Sequence, residues 1–227
     1  MFALAFLAPV SPLNADAVRP NILIIFTDDQ GYADLGCYGN KKNKTPRMDR
    51  LAKEGTRFTS FYAQSVCGPS RSALLTGRYP FRSQGWGMPA SEITFAELIR
   101  EAGYQTACIG KWDVSNRKAI LPRMPNAQGF DYYFGIPYSD DMTARPGRNW
   151  PPLPLVRNAT VIEAPVNRDG LTERYTQEVI DFITRNKDKP FFVYLPHAMP
   201  GSTKSSFAGN RFRGKSGNGT YGDTVEE

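Results

Sequence analysis

The sequence predicts an α/β protein whose central sheet, mainly parallel or mixed, is covered by helices on both faces. Three observations predict it. Short apolar runs rich in β-branched residues alternate with segments of helical period. Eighteen prolines and twenty glycines, more than a helical bundle carries, punctuate those runs. Polar groups stand directly after three of the predicted strands, at Asp28 and Asp29, at Lys111 and at His197. In a wound α/β sheet, ligands bind beyond the carboxyl ends of the strands. With 227 residues, 41% hydrophobic and 22% charged, the chain has material for one sizeable core, and a disordered or low-complexity protein is excluded.

The elements follow in order. Phe2 to Ala8 is a short apolar stretch, and Ala15-Asp16-Ala17 has the small-x-small pattern of a signal-peptidase site. Residues 1–17 are therefore expected to be a signal peptide, with a mature start near Val18 and export from the cytoplasm. Asn21 to Thr27 is a continuous apolar and β-branched run and reads as a strand buried on both faces. Thr45-Pro46 starts a helix with Met48, Leu51 and Ala52 on one face and Gly55 as its stop. Thr56 to Ala63 reads as extended. Cys67-Gly68-Pro69-Ser70-Arg71 reads as a loop feeding a short helix over Ser72 to Thr76, stopped by Gly77.

Thr94 and Glu97 have the spacing of a capping box, and Gly103 ends that helix before a strand over Tyr104 to Ile109. Ala119 to Val166 is rich in Pro, Asn and Gly without a sustained period, so long loops with short pieces of structure are expected. A helix over Thr172 to Arg185 precedes a strand over Phe191 to Leu195. The last residues, Asp223 to Glu227, carry no turn signal and read as the opening of another helix, so the domain is expected to be truncated at its C-terminus.

Charge and cysteine usage narrow the partners. A formal charge of +6 suits an anionic substrate, although Lys204, Arg211, Arg213 and Lys215 share one Gly/Ser-rich stretch that reads as a solvated loop. Aromatic interleaving of the kind that binds nucleic acid is absent, so nucleic acid is not an expected partner. No stretch approaches the roughly 20 apolar residues that span a bilayer, and no membrane partner is expected after signal cleavage. Three cysteines, Cys37, Cys67 and Cys108, define no disulfide framework and leave at least one for chemistry or burial.

The residues with chemistry are few. Asp28 and Asp29 are adjacent carboxylates on a tight turn, which repel unless a cation sits between them, and hard oxygen donors suit Ca²⁺ or Mg²⁺ rather than zinc. A solvated turn is the plainer reading of the same residues. Cys67 stands where a helix begins, and free N–H groups with the positive end of the dipole favour an anion or thiolate there. Arg71 and Arg78 add fixed positive charge. Ordinary packing of a small cysteine is the alternative.

Cys67-x-Pro69-Ser70-Arg71, followed by Ser72-Ala73-Leu74-Leu75-Thr76-Gly77-Arg78, resembles the signature of the type I sulfatase family. Further segments match in order: Pro20 to Gly31, Thr45 to Gly55, Gly110-Lys111-Trp112, Gly135-Ile136-Pro137-Tyr138-Ser139 and Phe191 to His197, the late ones being most similar to the arylsulfatase A branch. The resemblance implies an alkaline-phosphatase-like fold, with residues 18–227 as the N-terminal part of the catalytic domain. It implies that Cys67 is oxidised to formylglycine by a formylglycine-generating enzyme that reads Pro69 and Arg71. The hydrated aldehyde would then attack the sulfur of a sulfate ester and later expel sulfate.

On the same ground Asp28 and Asp29 are metal ligands for Ca²⁺, with Mg²⁺ as the alternative and residue 67 as a further metal contact. Arg71 and Lys111 neutralise charge on nucleophile and ester, His197 is a catalytic candidate, and Ser139 contacts the substrate, a sulfated small molecule or glycan. The location implied is periplasmic or extracellular, or lysosomal in a eukaryote.

The sequence departs from the family at two positions. Where the family has a histidine two residues after the lysine, this chain has Asp113, and a second family histidine is replaced by Gly201. Asp113 is open to reading as a base, a metal ligand or a partner of Lys111; His197 is open to reading as an acid or a structural histidine. A non-cleaving homologue that binds sulfated glycans and a phosphate or phosphonate ester hydrolase stand as alternative functions. An Asp-Asn pair of the metal site and a later lysine are expected from downstream, so residues 18–227 alone are expected to hydrolyse no aryl sulfate.

Overall fold

A computed structural model describes residues 19–84, 87–115, 121–143, 146–201 and 206–227. The expected signal peptide and Lys204 lie outside the described residues. Six strands form one mixed sheet: β1 (Ile22–Asp28), β2 (Gln105–Ile109), β3 (Tyr132–Gly135), β4 (Leu155–Arg157), β5 (Thr160–Glu163) and β6 (Phe191–Pro200), in the order β1-β6-β2-β3-β4-β5. The first four in that order are mutually parallel, whereas β4 and β5 form an antiparallel hairpin against β3. Among the described residues five α-helices accompany them: α1 (Pro46–Glu54), α2 (Cys67–Thr76), α3 (Phe95–Glu101), α4 (Leu171–Asn186) and α5 (Gly219–Glu226). None of the described helices is long and apolar enough to cross a membrane.

The two-residue period of β6 divides the core. Phe191, Val193 and Leu195 join Ala107 and Ile109 of β2 on one face, where Leu171, Tyr175, Val179 and Phe182 of α4 cover them. Phe192 and Tyr194 join Cys108 and Tyr133 on the other face, beneath Leu75 of α2 and Ala96 of α3. Helices thus cover both faces, as the alternation of elements predicts.

Several local expectations change. β1 is not buried on both faces, because it pairs only with β6 at the sheet edge and no described helix covers its outer side. Ile22, Ile24 and Phe26 pack inward, while Leu23 and Ile25 are 45% and 55% exposed. Residues 56–63 pair with no strand and carry exposed Phe58, Phe61 and Tyr62. α2 starts at Cys67 rather than Ser72. Pro69 falls in the first turn, where its missing N–H costs nothing, and the first helical bond runs from Ser70 N to Val66 O at 3.1 Å. β6 extends five residues past Leu195.

The capping box forms as its spacing predicts: Thr94 Oγ1 accepts from Glu97 N and Glu97 Oε2 accepts from Thr94 N. The final residues lie in α5, and the described basic residues before it, Arg211, Arg213 and Lys215, are exposed as a solvated loop predicts, with Asp223 accepting from the amides of Gly214, Lys215 and Ser216.

Two glycines set the approach of the central strands. A Cβ on Gly110, whose φ is +137°, would lie 2.0 Å from the Pro196 carbonyl oxygen, and one on Gly135 would lie 1.8 Å from the Gly110 carbonyl oxygen. Only bare backbone fits at either place. The result fixes the start of the segment that carries Lys111.

Candidate active site

The carboxyl ends of β1, β2 and β6 converge as the strand-end polar groups predict. Asp28 is the last residue of β1, and its carboxylate bridges two cations: Oδ1 accepts from Arg71 Nη2 and Oδ2 from Lys111 Nζ, both at 2.9 Å. Arg71 also donates to the Lys111 carbonyl at 2.9 Å and to the His197 carbonyl at 3.0 Å, so one side chain of α2 ties together the end of β1, the segment after β2 and the interior of β6, where His197 lies within the strand rather than past its end. Asp113 Oδ2 lies 3.7 Å from Lys111 Nζ. Arg71, Lys111 and Asp113 are fully buried and Asp28 nearly so. Buried charge is costly unless answered, and here two cations face two anions.

The protonation states follow from this packing. Burial pushes the Asp28 carboxyl up, but Lys111 and Arg71 outweigh it and hold it below its ordinary value. Burial lowers and Asp28 raises the Lys111 ammonium, with a net rise that keeps it charged. Asp29, more open and at φ +57°, is raised by burial and then by the like charge of Asp28. Burial, opposed by Lys111 and reinforced by Asp113, pushes the Cys67 thiol up to about 11. Burial, with Arg71 nearby, pushes the His197 imidazole down to about 4. Its ring centroid lies 6.4 Å from that of Tyr175.

Cys67, Asp28 and Asp29 all line a cleft of 680 Å³, flanked by Phe26, Gln30 and Ser70. Ser139 is buried in the turn after β3, with its carbonyl accepting from Met142 N. Its neighbour Asp140 feels Lys111 and Asp28, which places this turn beside the cluster.

The donor chemistry agrees with a hard divalent cation in one respect. Burial first and the like charge of Asp28 second raise the Asp29 carboxyl, and a cation between two adjacent carboxylates would relieve the second of these. Among the described residues, no group of three or more His, Cys, Asp or Glu side chains has the spacing to hold a metal. Both Asp28 oxygens are taken by cationic side chains, Arg71 and Lys111.

The sequence pattern of the Sulfatase family matches residues 20–222. The chain is a member of the type I sulfatase family. Human arylsulfatase A is 40% identical over 243 residues, covering 94% of this sulfatase chain and 47% of its own length. Mouse arylsulfatase G is 39% identical over 216 residues, covering 79% of the chain and 41% of its own length. The sulfatase chain thus spans about half the length or less of these relatives.

Among solved structures, PsFucS1 sulfatase from Pseudoalteromonas sp. is similar with a TM-score of 0.77 at 27% identity, over 92% of this chain and 49% of that one. Ps i-CgsB in complex with k-i-k-neocarrahexaose gives 0.70 at 30% identity, over 92% and 52%. These likenesses carry the alkaline-phosphatase-like sulfatase fold to the present sheet.

Of the candidates read from sequence, the structure gathers Asp28, Cys67, Arg71 and Lys111, with Asp29 beside them on the cleft. His197 joins through its backbone carbonyl, its ring lying toward Tyr175. Sequence reasoning misses Asp140, for which its place after Ser139 in the motif is the available signal. Tyr194, which acts on Arg71 from β6, gives no signal, because in sequence it is one more aromatic in an apolar run.

Proposed function

We propose that this chain is the N-terminal part of an exported sulfuric ester hydrolase that cleaves a sulfated small molecule or glycan, with residue 67 as its nucleophile after oxidation to formylglycine. The observation that carries the reading is the placement of Cys67 at the first position of α2, on a cleft shared with the Asp28–Arg71–Lys111 cluster. A half-buried thiol at about 11 is almost wholly protonated at neutral pH, so the cysteine itself makes a poor thiolate nucleophile. The oxidised residue would supply hydroxyl oxygen for attack at sulfur.

The chain's own residues supply the rest. Arg71 and Lys111 stay cationic and offset negative charge gathering at the ester. Asp28 and Asp29 would hold Ca²⁺ or Mg²⁺, which polarises sulfate oxygens, and Ser139 would donate to the sulfate. His197, neutral above about pH 4, serves as an acceptor rather than as an acid. The glycan reading gains support from the saccharide complex of Ps i-CgsB.

Peptide mass spectrometry across Cys67, after expression in a host with formylglycine-generating enzyme, tests the root of the reading. The mass loss of thiol-to-aldehyde conversion is expected; an intact thiol counts against it. Aryl sulfate cleaved in preference to aryl phosphate by the full-length modified protein separates a sulfatase from a phosphate or phosphonate ester hydrolase. Modified protein that binds sulfated glycan without turnover identifies a non-cleaving homologue.

A further inference from the structure

Positive charge crowds one stretch of this chain. Residues 41–57 hold seven of its 28 Lys and Arg residues and only two of its 22 Asp and Glu residues, and all seven cations are exposed. A charge run on a surface is ordinarily a solvated face. Three observations separate this one from that reading.

The acids nearby are engaged elsewhere. Asp49 Oδ1 accepts from Cys37 N at 2.7 Å and from the Thr45 hydroxyl at 3.0 Å, and Asp34 Oδ2 accepts from Gly31 N and the Tyr221 hydroxyl, both at 2.7 Å. Glu226 Oε1 takes the backbone amide of Lys44 at 2.9 Å. Among the described residues, the one ion pair within this stretch is Arg50 with Glu54 at 3.6 Å, and Lys41, Lys42, Lys44 and Arg47 have none.

The loop also holds its shape without its cations. Asn40 Oδ1 accepts from Lys42 N at 2.8 Å and Asn43 N at 2.7 Å, and buried Asn43 donates to the Asp34 carbonyl at 3.0 Å. Neutral amides fix the backbone, so an anion that binds the lysines has little loop ordering to offset. The fold then adds a cation from far along the chain: a Cβ on Gly217 would lie 3.8 Å from the Lys42 carbonyl oxygen, which brings exposed Lys215 to the same rim. This rim adjoins the cleft, since Met48, next after Arg47, lines it, as does Gly31.

We propose that Lys41, Lys42, Lys44, Arg47 and Lys215 form a docking surface for a polysulfated glycan, whose further sulfates pair with these cations while one ester enters the cleft. This rests on the reading of the cleft as a sulfate-ester site, and it names the polymer rather than the small molecule as substrate. A small ester fills the cleft and leaves the rim unused. Each sulfate that meets a lysine releases counterions, so affinity falls with salt. Nucleic acid is the rival polyanion, but no aromatic side chain, the platform on which bases stack, stands among residues 41–47.

Heparin is the probe, titrated against the full-length protein with its thiol intact. Binding is expected, and Lys41→Gln/Lys42→Gln/Lys44→Gln should weaken it at least about 10-fold near 0.15 M salt and reduce the magnitude of the salt slope by about 2–3. The control Arg185→Gln/Lys187→Gln/Lys189→Gln removes the same charge from exposed positions where α4 leads into the start of β6, away from the cleft. It should stay within about 2-fold of the parent. Both variants should melt within about 1 °C of the parent, because exposed side chains without partners contribute little to stability.

No binding, no loss in the first variant, or an equal loss in both leaves a solvated face and overturns the proposal. Duplex DNA bound as tightly as heparin overturns it in favour of nucleic acid. No arm needs formylglycine or turnover. An unmodified Cys67 therefore refutes the hydrolase chemistry and leaves the docking surface standing, whereas a converted Cys67 without heparin binding does the reverse.

Discussion

Arg71 and Lys111 are fully buried cations, and Asp28 and Asp113 are the anions that make their burial tolerable. The neighbouring turn holds a carboxyl without such balance. Asp140 is pushed up to about 7 by burial, which outweighs the opposing charges of Lys111 and of Arg168, the latter 3.9 Å away. In the unfolded chain this carboxyl titrates near its ordinary 3.8, so the folded state binds the extra proton between those values. Its contribution is most favourable below pH 3.8 and is lost as pH rises through about 7. Asp140→Asn is therefore expected to raise the melting temperature at pH 8 by several degrees and to leave it unchanged near pH 3.5, read by circular dichroism.

The cysteine, the paired aspartates and the lysine were legible as residues because their types are rare at strand and helix ends. The bare carboxylate of Asp113 was legible only as a departure. That it has no hydrogen-bond partner among the described residues goes with Lys111 lying nearer Asp28, a choice made by tertiary packing.

Elements with strong local signals lie where the sequence puts them. α1 begins at Pro46, α3 carries its capping box, and α4 follows its apolar period. The β4–β5 hairpin turns at Asn158, whose φ of +52° suits asparagine, yet strands of three and four residues are too short for a period to emerge from a Pro- and Gly-rich region. The start of α2 was misplaced because Gly and Pro look like loop residues wherever they stand.

At this scale the close approach of Gly110 to Pro196 yields a prediction. Gly110→Ala adds a Cβ 2.0 Å from a carbonyl oxygen at a φ of +137°. It should cost about 2–5 kcal/mol by chemical denaturation, because the segment bearing Lys111 and Asp113 must shift.

Over the whole molecule, the alternation of strands and helices foretold a sheet with two covered faces, and both cores bear this out. The order of the strands, with β1 outermost, was not legible. An apolar run reads alike whether one face or both are covered, since the distinction lies in which elements pack nearby. The exposed Leu23 and Ile25 on that edge strand form a surface prone to pairing with other chains. Ile25→Lys should slow aggregation of the chain, followed by light scattering at a fixed concentration, while Ile24→Lys, on the packed face, should unfold it.

Arg71 reaches a carbonyl 126 residues further along the chain and has no exposed surface once it arrives. Any enzyme that recognises this arginine together with Cys67 must therefore act before β6 docks. At a synthesis rate of about 5–20 residues per second, the interval between the appearance of Arg71 and that of His197 is about 6–25 s. On the proposed reading of residue 67 as a modified cysteine, the fold sets a clock on that step: a chain that closes early keeps its thiol.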